Sequence, residues 1–229
     1  MYRLVLILTC LFGCAACNSS VHEVSSTSIK KVPNEPTPLA AEITQATLRA
    51  GNAHFRFTSK DENGHTTVES EGAFSQSQNC GWSTVRSGSD ALEFRTIQAV
   101  HYVGVTAAEA VDGMRWIRID SNALNELLGR QIAPELTKSI STGDVVPTIT
   151  KLAQTFRTGE FKAQLDNQPG TAWLDSSNRL VRYELQLDGR TFTAELSDFG
   201  TPVTCAAPAE SETVDYVQLM QAIKSQMDQ

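Results

Sequence analysis

The chain has 229 residues, 26 acidic against 19 basic, and a formal net charge of −7. Acidic and basic residues are interspersed, so the balance excludes a nucleic-acid surface and gives no electrostatic drive onto anionic lipid. The roughly 170 residues of 39–208, beyond leader and tether, suit one domain, large enough to bury a sizeable core or enclose a cavity.

Residues 1–17 place Arg3 before an apolar run, Leu4 to Phe12, followed by small residues and a cysteine. A run this short does not span a bilayer and reads as a secretory signal. Ala15-Ala16 before Cys17, with polar Asn18-Ser19-Ser20 after it, reads as a lipobox in which Cys17 becomes the acylated mature N-terminus. Cys14 is the alternative, with Leu11 and Gly13 well placed but a shorter signal. Residues 18–38 carry Ser, Thr, Lys and Asn with Pro33, Pro36 and Pro38, a composition that buries no core and predicts a flexible tether. A domain over 39–208 and an amphipathic helix over 209–229 complete the expected organisation.

Thr37 or Pro38 opens a helix in which Leu39, Ala40, Ile43, Ala46, Thr47 and Ala50 form one stripe, ended by Gly51. Ala53 to Ser59 then alternates Phe55 and Phe57 with His54 and Arg56. Folding about an Asn63-Gly64 turn sets Arg56 opposite Glu71, and Phe55 and Phe57 opposite Gly72 and Ser70. Phe74 to Arg86 and Leu92 to Val103 read as two strands joined by Ser87–Asp90, and Met114 to Asp120, with Trp116, as another. At Ser121 the period changes. Three short helices are expected: one with Leu124, Leu127 and Leu128, one from Pro134 with Leu136 and Ile140, and one from Asp144 with Val145, Val146, Ile149, Leu152, Ala153 and Phe156. One weak strand, Phe161 to Leu165, follows.

Gly170 to Pro208 carries the clearest pattern. Val181, Tyr183, Leu185 and Leu187 alternate with Arg182, Glu184 and Gln186 before Asp188-Gly189, a dipeptide that supplies φ > 0 for a tight hairpin turn. With that turn, Leu185 faces Phe192, Tyr183 faces Ala194 and Val181 faces Leu196, so both apolar sets share one side. Asp175–Asn178 is a turn that pairs Ala172-Trp173-Leu174 with the start of the Val181 strand. After Pro208, Val214, Val217, Met220, Ile223 and Met227 mark a C-terminal amphipathic helix.

The string TAWLDSSNRLVRYELQL, ending in LSDFGTPVTCAAP, resembles the C-terminal half of the LolA-like lipoproteins of actinobacteria, lipid-binding relatives of the mycobacterial LppX and LprG proteins. RTIQAVHYV and the later MRWIRID resemble that family's central strands, and the likeness extends loosely over Leu39 to Pro208. It implies an α+β fold: a single curved antiparallel sheet, a half-barrel, wrapped around several short helices that line one side of a ligand cavity. It also implies binding of the acyl chains of a lipid or lipoglycan, for carriage or retention at the outer face of the cell membrane. The cavity residues would be Phe55, Phe57, Trp116, Val145, Ile149, Leu152, Phe156, Trp173, Val181, Tyr183, Leu185, Phe192 and Leu196. Pattern alone assigns such residues to an ordinary packed core, which would make the domain an anchored interaction or sensor module without lipid. Two features depart from the family: the weak strand before Gly170, where relatives carry a longer pair, and the added C-terminal helix, which would cap the cavity, dock on the outer sheet face or contact an envelope protein.

Once the leader is gone, Cys80 and Cys205 remain in an exported chain, where an even pair favours a disulfide over two buried thiols. Cys14-Ala-Ala-Cys17 matches a redox spacing only inside the signal. His22, His54, His65 and His101 stand apart with no metal-ligand spacing, and no nucleophile elbow or phosphate-binding glycine loop occurs. Asp175 and Asp198 are explained as turn residues. The expectation is a non-enzymatic protein without metal or cofactor.

Overall fold

The computed structural model describes residues 38–105, 110, 113–120, 145–157 and 159–227. The expected leader, the expected tether up to residue 37 and the first two expected helices of the 121–144 region lie outside them. Twelve strands form a single curved, unclosed sheet. In chain order they are β1 (Asn52–Lys60), β2 (Thr66–Ser75), β3 (Cys80–Ser87), β4 (Asp90–Ile97), β5 (Val100–Gly104), β6 (Trp116–Asp120), β7 (Ile149–Arg157), β8 (Glu160–Leu165), β9 (Gln168–Leu174), β10 (Leu180–Leu187), β11 (Arg190–Ser197) and β12 (Thr213–Asp215). Two helices are described, α1 (Pro38–Arg49) and α2 (Tyr216–Met227). Across the sheet the order is β12-β6-β5-β4-β3-β2-β1-β11-β10-β9-β8-β7. Neighbours are antiparallel except β12, which lies parallel to β6.

Both hairpins read from turn chemistry take the expected register. Asp188 and Gly189 have φ of 50° and 73°, and Leu185 faces Phe192 while Tyr183 faces Ala194. Arg56 faces Glu71, Phe55 faces Gly72 and Phe57 faces Ser70, although a bulge at Ser59/Lys60 widens the loop around Asn63-Gly64. Asp61 organises that loop, its Oδ1 accepting from the backbone N–H groups of Asn63 and His65, both at 2.9 Å.

Between residues 74 and 103 the expected two strands are four. The chain reverses at Gln76–Asn79 and at Gln98-Ala99, with Asn79 and Gln98 at φ of 47° and 56°. Neither turn carries glycine or proline; Ser77 and Asn79 are the only turn-forming residues in the first, and Gln98-Ala99 has none. A larger correction concerns Ile149 to Phe156, the greater part of the helix expected from Asp144, which is a strand, with Val145 and Val146 just ahead of it. β7 pairs with β8 through Ile149↔Leu165, Leu152↔Ala163 and Thr155↔Phe161, with irregularities between these pairs. The irregularities break strict alternation, so Ile149 and Leu152 both fall inward three residues apart and imitate a helix. The same hairpin supplies the longer strand pair expected to be missing before Gly170.

α1 buries Ala40, Ile43 and Thr47 against the sheet, while Leu39, placed on the stripe by sequence, is 50% exposed. Two threonine hydroxyls fasten the helix. Thr47 Oγ1 donates to the Ile43 carbonyl at 2.9 Å and accepts the backbone N–H of Leu180 at 2.8 Å. Thr44 Oγ1 accepts the N–H of Ile149 at 3.2 Å. Backbone donors at the starts of β7 and β10 are thereby satisfied at the helix surface, where a buried orphan would cost about 1–3 kcal/mol. Around this contact the core gathers Ile43, Phe74, Ile149, Leu165, Leu180 and Leu196.

The convex face is polar. One row across it runs Trp116, Gly104, Glu93, Thr84, Glu71, Arg56, Glu195, Arg182, Trp173. After β11 the chain turns at Asp198 and Gly200 and passes over this face towards β6. Val203 is buried beneath this strap, the Ala206 carbonyl accepts from Arg95 at 3.1 Å, and Glu212 O accepts the Arg115 N–H at 2.9 Å. A Cys80–Cys205 disulfide, with Cα atoms 6.1 Å apart, pins the strap to β3. The segment ends as β12 on the β6 edge, so Val214, read from sequence as helical, is a strand residue, and α2 begins only at Tyr216.

The bridge closes a sequence separation of 125 residues, so replacing both Cys80 and Cys205 by Ser should lower unfolding stability by about 2–5 kcal/mol. Denaturant titration of the double variant measures it, and a loss below about 0.5 kcal/mol would show that the strap holds without the bond.

Candidate functional site

Directly opposed residues on paired strands project to the same side of a sheet, so the register assigns the paired residues to a face. Phe55 and Phe57 of β1 share the concave, helix-bearing face with Leu196, Ala194 and Phe192 of β11 and Tyr183 and Leu185 of β10. The same face continues through Val68 of β2, Val85 of β3, Leu92 and Phe94 of β4 and Val103 of β5. The rings of Phe57 and Phe192 stack with centroids 6.0 Å apart.

This face has two unlike halves. Beside α1 it is a packed core: Ile149 is 0% exposed and Leu196 3%. Phe55, Val145, Leu152 and Tyr183 pack against that cluster. Burial drives the Tyr183 phenol up to about 12, with Asp166 adding to the shift. Away from α1, the side chains of Phe57, Val68, Val85, Leu92, Phe94, Val103, Leu185 and Phe192 are half-buried, while Ser83, Thr96, His101, Ile117 and Ile119 among them are buried. The candidate site is this second half. Of the expected cavity residues, Phe57, Leu185 and Phe192 line it, Val181 falls at the bulge between Leu180 and Arg182, and Phe55, Val145, Ile149, Leu152, Tyr183 and Leu196 belong to the core. The side chain of Phe156 lies outside the described residues.

Trp116 and Trp173 are corrections, because both project from the convex face. Trp173 sits opposite Arg182, whose guanidinium lies 4.8 Å over its ring. Trp116 is buried at 2% exposure, with Arg95 at 4.6 Å and Arg115 at 5.6 Å over its ring. Arg115 also pairs with Glu93. Each tryptophan exchanges a place in an apolar wall for cation–π contact beside solvent. Trp82 also faces outwards, edge-on to His54 at 6.4 Å. Beside it, under the strap, Trp82, Thr84, Arg95, Ile97 and Cys205 border a groove of about 310 Å³.

The turn aspartates behave as turn chemistry dictates. Asp175 Oδ1 accepts the N–H groups of Ser177 and Arg179, both at 2.9 Å. Burial pushes its carboxyl up, but these bonds and the Arg179 guanidinium hold it below the usual value. No cluster of three or more metal-ligating side chains occurs among the described residues, and none of their helices is long and apolar enough to cross a membrane.

One polar group on the concave face was not singled out from sequence as a site residue. His101 of β5 stands opposite Thr96 of β4 and Ile119 of β6 and is 6% exposed. Its Nδ1 lies 3.1 Å from Thr96 Oγ1, while its buried Nε2 has no hydrogen-bond partner among the described residues. The available signal was its alternation with Val103, which places an imidazole on the apolar side of the strand.

The crystal structure of LprF from Mycobacterium bovis is similar at a TM-score of 0.43 and 20% sequence identity, over 76% of this chain and 99% of that one. The lipoprotein LppX from Mycobacterium tuberculosis is similar at a TM-score of 0.43 and 15% identity, over 73% and 98% of the two chains. No protein-family model and no curated protein sequence matches the chain.

Burial holds His101 below its ordinary value of 6.5, against a weaker upward pull from Asp120. The unfolded chain therefore takes up a proton near pH 6.5 that the folded chain resists, so this group's stabilising contribution is complete above that pH and lost as the pH falls below it. Between about pH 7.5 and pH 5, thermal unfolding of the wild type should lose stability relative to His101→Gln; parallel curves would contradict this.

Proposed function

We propose that the chain is a non-enzymatic, lipid-anchored protein of the cell envelope that binds a hydrophobic ligand, the acyl chains of a lipid or lipoglycan, for carriage or retention. The observation that carries this is the half-buried apolar wall beyond α1, from Phe57 and Phe192 across to Phe94 and Val103. Acyl chains need apolar walls and few directional contacts, and this surface is apolar along several adjacent strands. The sequence resemblance to LolA-like lipoproteins supports the same assignment, and the Ala-Ala-Cys17 leader supports the anchor, with Cys14 as the alternative.

A protein-interaction module without lipid is the competing function. It is favoured by the dense packing of Ile43, Ile149, Leu165 and Leu180 at the α1 end and by the convex groove under the strap. In that case the strap and α2 would supply the contact surface for an envelope protein.

Two substitutions separate the alternatives. Ile149 is fully buried, so Ile149→Trp overpacks and should cost about 1–3 kcal/mol or more under either function. Leu185 lies on the half-buried wall. If that wall is a ligand site, Leu185→Trp should leave the melting temperature nearly unchanged and weaken binding of a fluorescent acyl probe, cis-parinaric acid, by at least tenfold. Leu185→Trp destabilising as strongly as Ile149→Trp, in a parent that binds no probe, would establish a filled core.

A further inference from the structure

The concave wall is apolar but not uniformly so. On its β3–β5 stretch the buried residues include Ser83, Thr96 and His101, at 5%, 4% and 6% exposure. They are flanked on the same face by Phe94, Val103, Ile117 and Ile119. An imidazole in such surroundings needs partners for both nitrogens, because a buried polar atom without one forfeits the hydrogen bond it had to water. Thr96 Oγ1 meets Nδ1, and Nε2 is the atom left over. The ionisable group acting on the ring is the Asp120 carboxylate of β6, whose pull towards the charged form is weaker than the effect of burial. The ring is therefore held neutral, which suits a neutral ligand oxygen better than a phosphate or carboxylate.

We propose that His101, positioned by Thr96, is the polar anchor of the ligand site and hydrogen-bonds a neutral carbonyl oxygen, such as the ester of an acyl lipid, whose chains lie along the wall of Phe94, Val103 and Leu92. In this arrangement the Thr96 hydroxyl donates to Nδ1, so Nε2 carries the proton and donates to the ligand carbonyl. The wall supplies affinity for chains of any kind, and the imidazole selects those that bring an acceptor to one place. This rests on the lipid-binding function proposed above and adds the chemistry of the ligand's polar group.

The test uses the full chain and two fluorescent probes of equal length, a pyrene-labelled fatty acyl methyl ester and the corresponding pyrenyl alkane. Wild type should bind the ester about tenfold more tightly than the alkane, the discrimination expected of one buried hydrogen bond. His101→Leu should abolish that preference while leaving alkane affinity unchanged, and Thr96→Val should reduce it. In wild type, the 15N resonance of His101 Nε2 should move on adding ester and stay fixed on adding alkane; this readout decides the matter if His101→Leu does not fold. Alkane binding with no ester preference in wild type, or a preference that survives in His101→Leu, would overturn the anchor alone. Failure of both probes to bind would overturn the lipid-binding function together with it.

Discussion

An unclosed sheet of twelve strands has one face to bury, and the described helix that packs on it is short. Strands spaced about 4.8 Å apart make a surface roughly 50 Å across, whereas a helix of 12 residues reaches about 18 Å. α1 therefore closes the core over β7–β10 and β1, and the concave surface continues beyond its reach as half-buried Phe, Val and Leu. That mismatch between sheet and helix makes the fold a candidate container, and it follows from lengths and spacings alone.

The convex face shows how the sheet remains single and open. Arg56 pairs with Glu69, Arg86 with Glu71 and Arg182 with Glu184. At such exposure each pair contributes about 0–1 kcal/mol, so the pairs keep this side solvated more than they hold it together. The strap contributes more. It is pinned at β3 by the disulfide, hydrogen-bonded to Arg95 and Arg115, and finishes as β12 on the edge of β6. A short strand followed directly by α2 covers part of an edge that would otherwise offer unpaired backbone groups to another chain. Asp215 joins the two strands again through Arg118 at 3.1 Å.

What the sequence disclosed follows from what each signal encodes. Asp188-Gly189 and the alternation around it fixed turn, register and face together, and Phe55, Phe57 and the Arg56–Glu71 pairing followed from the same logic at the first hairpin. The Cys80–Cys205 bridge was legible from the expected loss of the leader cysteines and from parity. Failures arose where local structure departs from its usual residues. The irregular pairing of β7 puts Ile149 and Leu152 inward three residues apart, a spacing that periodicity assigns to a helix. The reversal at Gln98 places an ordinary side chain at positive φ, and Asn79, which suits that conformation, stands without a glycine beside it to mark the turn. Trp116 and Trp173 face outwards because neighbouring arginines supply cation–π partners there, and those partners come from strands distant in sequence or across a turn. His101 could be read only from its alternation with Val103, and the sheet register is what sets it beside Ser83 and Thr96 on the concave wall.

The central claim is that the open half of the concave face holds acyl chains. Mass spectrometry of material extracted from the full chain, purified without added lipid, addresses it most directly. The account predicts an ester-bearing acyl lipid recovered in near-stoichiometric amount, and in lower amount from Leu185→Trp prepared alongside. A chain that emerges well folded and free of any acyl species, and stays so after incubation with total envelope lipid, would contradict it.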